Sequence, residues 1–158
     1  MSIAAQILEL ARTKGVMIAC AESCTGGLVA AALTELPGSS MMFDRGFVTY
    51  TNAAKTALLG VKPGTLHMHG AVSEEVAKEM ATGALAGSDA GLAVSITGIA
   101  GPGGSDNKPE GRVCFGLASG IQVWSVTQEF GALGRSRVRT AARDYAQTLL
   151  LEGLHTLP

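Results

Sequence analysis

The chain has no apolar run able to cross a bilayer, no surplus charge of either sign and no close pairing of cysteines. Residues 80–100 come nearest to a span, but Thr82, Gly83, Gly87, Ser88 and Asp89 interrupt them, whereas a spanning helix needs about 20 consecutive apolar residues. Residues 1–14 lack the basic start of a secretory signal and carry Glu9 within their apolar face. A cytoplasmic protein is therefore expected, with no membrane partner. Twelve Lys and Arg stand against thirteen Asp and Glu, so the basic excess that neutralises nucleic-acid phosphates is missing and no nucleic-acid partner is expected. Cys20, Cys24 and Cys114 are odd in number and lack C-x-x-C spacing. They read as reduced, mostly buried thiols, not as a disulfide framework or zinc site.

What is present is a chain of 158 residues, 47% apolar, enough for one domain with a core of its own. No repeat, charge block or low-complexity tract divides it, so residues 1–158 are read as a single domain. Ile3, Ile7, Leu8 and Ala11 share a helical face that ends at Gly15. Residues 16–21 form a compact apolar strand, 26–36 an Ala- and Leu-rich helix closed by Pro37 and Gly38, and 45–51 a second strand. A short helix is expected over 52–59, with a loop beyond Gly60 and Pro63. Ser73-Glu-Glu then caps a helix running to about residue 86. A buried strand over 91–96 leads into a glycine-dense loop. Residues 113–118 and 122–129 read as a hairpin, and 136–153 as a last amphipathic helix. Alternating strands and helices followed by a hairpin imply an α/β fold, a three-layer α/β/α sandwich around a mixed sheet.

Ligands in such sheets bind beyond the strand ends, and two strand-ending segments carry suggestive chemistry. In Ala21-Glu-Ser-Cys-Thr-Gly-Gly27, Ser23 falls between an apolar strand and an apolar helix. Unpaired amides at the start of that helix could donate to a phosphate or an oxyanion, and Gly26 and Gly27 would admit a close substrate. Ser23 or Thr25 as a plain helix cap is the competing reading. Cys24 has no nearby histidine and reads as core. His67, His69 and His155 form no triad pattern, and His67 with His69 lack a third metal ligand. Lys55, after the second strand, is a candidate base for Ser23, because a desolvated lysine can accept a serine proton; a solvated helix residue is the alternative. The loop Thr97-Gly-Ile-Ala-Gly-Pro-Gly-Gly-Ser105 matches neither phosphate-binding glycine pattern. It is either a surface connection or a backbone wall around a small anion. Arg135, Arg137 and Arg139 open the last helix, where cations are disfavoured, so they call for an anion unless simply solvated.

Together with Gly46-Phe-Val-Thr-Tyr-Thr-Asn52, Lys55 and Gly70-Ala-Val-Ser-Glu-Glu75, these motifs resemble, in order and over nearly the whole chain, the CinA C-terminal domain family of nicotinamide-nucleotide amidohydrolases in its stand-alone form. The resemblance implies hydrolysis of the carboxamide of nicotinamide mononucleotide to nicotinic acid mononucleotide and ammonia, without metal or cofactor. It implies Ser23 as nucleophile and Lys55 as base. It also implies substrate contacts from Thr25, Gly26 and Gly27, from Tyr50 and Asn52, from Thr97, Gly98, Gly101 and Gly103, and from Arg135 and Arg139, and a homo-oligomer. A non-catalytic mononucleotide-binding module and a protein-interaction module of competence or DNA-damage responses are the alternatives. Two positions depart from the family pattern: Gly134 replaces an acidic residue before Arg135, and Glu110-Gly-Arg112 precedes the next strand where a small or hydroxyl residue is usual. The larger nucleotide-processing domain that precedes this module in many relatives is not in the chain.

Overall fold

A computed structural model describes all 158 residues. In chain order the elements are α1 (Ile3–Lys14), β1 (Ile18–Glu22), α2 (Leu28–Leu33), β2 (Phe43–Val48), α3 (Asn52–Leu59), α4 (Pro63–His69), α5 (Glu74–Ala86), β3 (Leu92–Gly98), β4 (Arg112–Ser119), β5 (Val123–Glu129) and α6 (Arg135–Thr156). The strands form one sheet in the order β2-β1-β3-β4-β5. β1 pairs in parallel with both β2 and β3, while β4 runs antiparallel to β3 and β5. The expected mixed sheet is present.

Side-chain alternation along β1 assigns the layers. Ile18 and Cys20 join Ile7, Val29, Leu149 and Leu150 in a core shared with α1, α2 and α6. Ala19 and Ala21 face the other way, onto Leu59, Val76, Met80 and Ala84 of α3 and α5. This second face is lined with small residues, so α5 lies close to the sheet. A Cβ at Gly116 of β4 would sit 2.3 Å from the Ala77 carbonyl oxygen. Helices thus cover both faces, as the three-layer reading expects.

Three local expectations are corrected. The helix expected over 26–36 is only Leu28–Leu33, because Gly26 and Gly27 have φ of +56° and +110°, which a right-handed helix cannot accommodate. The loop expected beyond Pro63 is instead α4. Pro63 stands at its start, where a missing N–H costs nothing, and Glu79 of α5 accepts from the Lys62 amide and the Thr65 hydroxyl. The second strand ends at Val48, not at residue 51. Beyond it Thr51 caps α3, accepting from the Ala54 amide.

Candidate active site

The carboxyl ends of β1, β2 and β3 lie side by side: Glu22 is in register with Val48 and Ile96. Ser23 therefore leaves the sheet from an interior strand, between β2 and β3, its amide still donating to the Ile96 carbonyl at 2.9 Å. β2 delivers Lys55 to the same edge by way of the first turn of α3. Its Nζ lies 3.0 Å from Ser23 Oγ and 3.1 Å from the Tyr50 carbonyl oxygen.

Lys55 is 1% exposed and Ser23 8%. Burial lowers Lys55 below its ordinary pKa of 10.5, since a desolvated ammonium is penalised. Its place in the first turn of α3 also disfavours added positive charge. The neutral amine can donate to the Tyr50 carbonyl and turn its lone pair to the serine hydroxyl, which then becomes the donor. Burial, aided by Glu22, pushes the Cys24 thiol up to about 12, so Cys24 stays protonated at neutral pH.

The turn that carries Ser23 is held on two sides. Glu22 is fully buried. Its Oε1 accepts from the amides of Gly27 and Val29 at 3.1 and 3.0 Å, and its Oε2 from Ala30 at 3.0 Å. Hydrogen bonds to a charged group contribute about 1.5–3 kcal/mol each, so three of them offset a desolvation cost of several kcal/mol. From α6, Arg139 donates to the Cys24 carbonyl at 3.0 Å and the Thr25 carbonyl at 3.3 Å. Neither Ser23 nor Thr25 caps α2. Gly27 occupies the cap position, and Glu22 takes the helix's free amides.

A cleft of about 300 Å³ opens beside Ser23 and Lys55, at the lower end of the range for small-molecule sites. Tyr50 and Asn52 line one side; Thr97, Gly98, Gly101 and Gly103 line another. The Thr97 hydroxyl donates to the Ala71 carbonyl. The amides of Ala100, Gly101 and Gly104 donate to nothing in the protein, so the loop presents unpaired donors. Arg135 lies at the rim, donating to the Gly101 carbonyl and the Tyr50 hydroxyl.

Thr25, Gly26, Gly27 and Arg139 do not line the cleft. The structure places them behind Ser23, shaping its turn. The Thr25 and Thr49 hydroxyls are buried without a protein partner. Arg137 is exposed away from the cleft, and His67, His69 and His155 are exposed elsewhere.

Glu22 and Lys108 are not singled out as site residues by the sequence, and Glu110 is marked there only as a departure from the family pattern. Glu22 reads as an ordinary strand-end carboxylate, although its position before a glycine-led helix start is a capping signal. Lys108 crosses to the His69 and Val72 carbonyls and ties the glycine loop to the turn before α5. Glu110 accepts from the amides of Gly103 and Gly134 at 2.7 and 2.9 Å. The two departures from the family pattern thus meet in space: where residue 134 has no carboxylate, Glu110 brings one to its amide.

The model of the CinA C-terminal domain matches residues 1–154. The chain is 53% identical over 144 residues to a nicotinamide-nucleotide amidohydrolase PncC of Enterobacter agglomerans, covering 89% of this chain and 87% of the relative. It is 48% identical over 151 residues to the protein of that name in Escherichia coli K12, covering 94% and 92%. A CinA-like protein of Chloroherpeton thalassium matches at 48% identity over 95% of this chain but only 38% of its own length. A crystal structure of a competence/damage-inducible protein from Agrobacterium tumefaciens superposes with a TM-score of 0.93 at 46% identity, covering 98% of this chain and 94% of that one.

Proposed function

The chain belongs to the CinA C-terminal domain family, and on that footing we propose that it hydrolyses the carboxamide of nicotinamide mononucleotide, with Ser23 as nucleophile and Lys55 as base. The observation that carries this reading is the 3.0 Å contact between the Lys55 amine and the Ser23 hydroxyl, both buried at the floor of the cleft. A serine needs an adjacent base to attack an amide, and a lysine serves as one only when its surroundings favour the neutral form.

Lys55 takes the Ser23 proton as Oγ bonds to the carboxamide carbon and the carbonyl electron pair moves onto oxygen. The carbon–nitrogen bond then breaks, and Lys55 returns the proton to the leaving nitrogen, releasing ammonia. Water adds to the acyl-enzyme with Lys55 again as base, and collapse expels Ser23, leaving the carboxylic acid. The unpaired amides of the glycine loop and the Arg135 guanidinium suit the substrate phosphate. The curated name borne by the relatives supports the substrate, and the Ser23–Lys55 contact supports the chemistry.

The test is ammonia release from nicotinamide mononucleotide by the purified protein with a chelator present. Release by the parent and none by folded Ser23→Ala is expected. Binding without release would make the protein a nucleotide-binding module, and full turnover by Ser23→Ala would remove the nucleophile. Sedimentation of the same preparation tests the self-association that the family resemblance implies.

A further inference from the structure

The amides that start α2 are already committed. Glu22 holds Gly27, Val29 and Ala30, the Gly26 amide returns to the Ser23 carbonyl, and Leu28 donates to Thr25. Within the turn, the Cys24 amide meets only its own thiol, and the Thr25 amide donates to no acceptor in the protein. Cys24 lines the cleft with Ser23, while Thr25 is wholly buried behind it. Buried unpaired amides are rare and call for an explanation. Arg139 takes the Cys24 and Thr25 carbonyls, gripping the two peptides that follow the one bearing the Cys24 amide, and the carbonyl of that peptide, Ser23, accepts from Gly26.

We propose that the Cys24 amide is the oxyanion donor, and that Glu22 and Arg139 are positioning residues that aim it by clamping the turn from its amide side and its carbonyl side. This rests on Ser23 being the nucleophile. When Ser23 Oγ bonds to the carboxamide carbon, negative charge develops on the former carbonyl oxygen beside the first amide after the nucleophile. A donor already held in place stabilises that charge without reorganising. Glu22 supplies the hold because its two oxygens draw the following peptides toward the sheet. Without it, those amides compete for the same space and the turn can rotate. Arg139 then serves the turn and makes no contact with substrate.

Two variants test this. In Glu22→Gln the side-chain amide opposes a backbone N–H, and in Arg139→Gln the two carbonyls are released. Each is expected to lower kcat about 100-fold, the scale for losing one oxyanion donor, with KM little changed and the pH midpoint set by Lys55 in place. Glu22→Asp should recover part of the loss. Unchanged kcat in either folded variant overturns the proposal. So does a raised KM in Arg139→Gln, which would make it a substrate contact, or a moved pH midpoint in Glu22→Gln, which would make it a modulator of the base. If Glu22→Gln does not fold, the Arg139→Gln result decides alone. Ser23→Ala separates the two levels: activity there defeats the nucleophile assignment, whereas inactivity there with full activity in Glu22→Gln defeats only the clamp.

Discussion

Lys55 Nζ lies 3.0 Å from Ser23 Oγ across thirty-two residues of chain, and no carboxylate is in hydrogen-bond or ion-pair contact with that amine. Its other contact is the Tyr50 carbonyl. A buried lysine without a counter-charge is poised to lose its proton, which is what a base for Ser23 requires.

Lys55→Met should remove nearly all turnover, since general-base assistance is worth about 10²–10⁴-fold. It should not lower stability, because an apolar chain of similar length replaces a desolvated amine. Lys55→Arg should be inactive at every pH, as a guanidinium does not deprotonate. Steady-state ammonia assays paired with urea denaturation check both. Appreciable turnover in Lys55→Met would reassign the base.

The pH dependence follows from the lowered Lys55 pKa. The base is neutral above that pKa, so kcat/KM should rise with pH and level off, with a midpoint below 10.5. In the unfolded chain the same lysine holds its proton up to its ordinary value. Between the two values the unfolded state therefore binds more protons, and stability rises with pH. The stability difference between the parent and Lys55→Met should shift in favour of the parent across that window, as read from denaturation at a series of pH values.

Thiol reagents should spare the enzyme. Burial pushes Cys24 up to about 12 and raises Cys20 and Cys114, so little thiolate exists at neutral pH. Iodoacetamide at pH 7.5 is expected to leave ammonia release intact, with mass spectrometry reporting no alkylation of the native protein. Rapid inactivation with Cys24 labelled would move the nucleophile by one residue.

Glu110→Ala should act on substrate capture. It frees the amides of Gly103 and Gly134 and loosens the wall that bears Arg135, without touching Ser23 or Lys55. KM for nicotinamide mononucleotide should rise severalfold while kcat changes less. An unchanged KM would separate this brace from substrate binding.

Much of this arrangement is legible in the chain, for local reasons. α5 begins after Ser73, whose side chain caps its own helix, so nearby residues suffice to place it. Alternation and turn residues reveal the hairpin of β4 and β5. α4 is hidden because Pro63-Gly64 reads as an interruption, and only Glu79, fifteen residues beyond Gly64, ties its first turn down. The Ser23 and Lys55 side chains are visible as types, but their meeting depends on β1 and β2 lying adjacent and parallel, which no local pattern states. Glu22 is overlooked for a different reason, since the amides it takes lie only five to eight residues further on. A carboxylate at a strand end is usually solvated, and its burial becomes evident only when the chain folds back over it.

The two walls of the cleft differ in how firmly they are anchored. β1 runs between β2 and β3 with all five residues buried, whereas residues 99–111 cross the surface through turns and a single isolated bridge between Ser105 and Lys108. Amides deep in a sheet exchange with deuterium only through large-scale opening, while those of exposed connections exchange through small local fluctuations. The nucleophile thus shares the protection of the whole domain, and adaptation to a different nucleotide can proceed on the opposite wall with little loss of global stability.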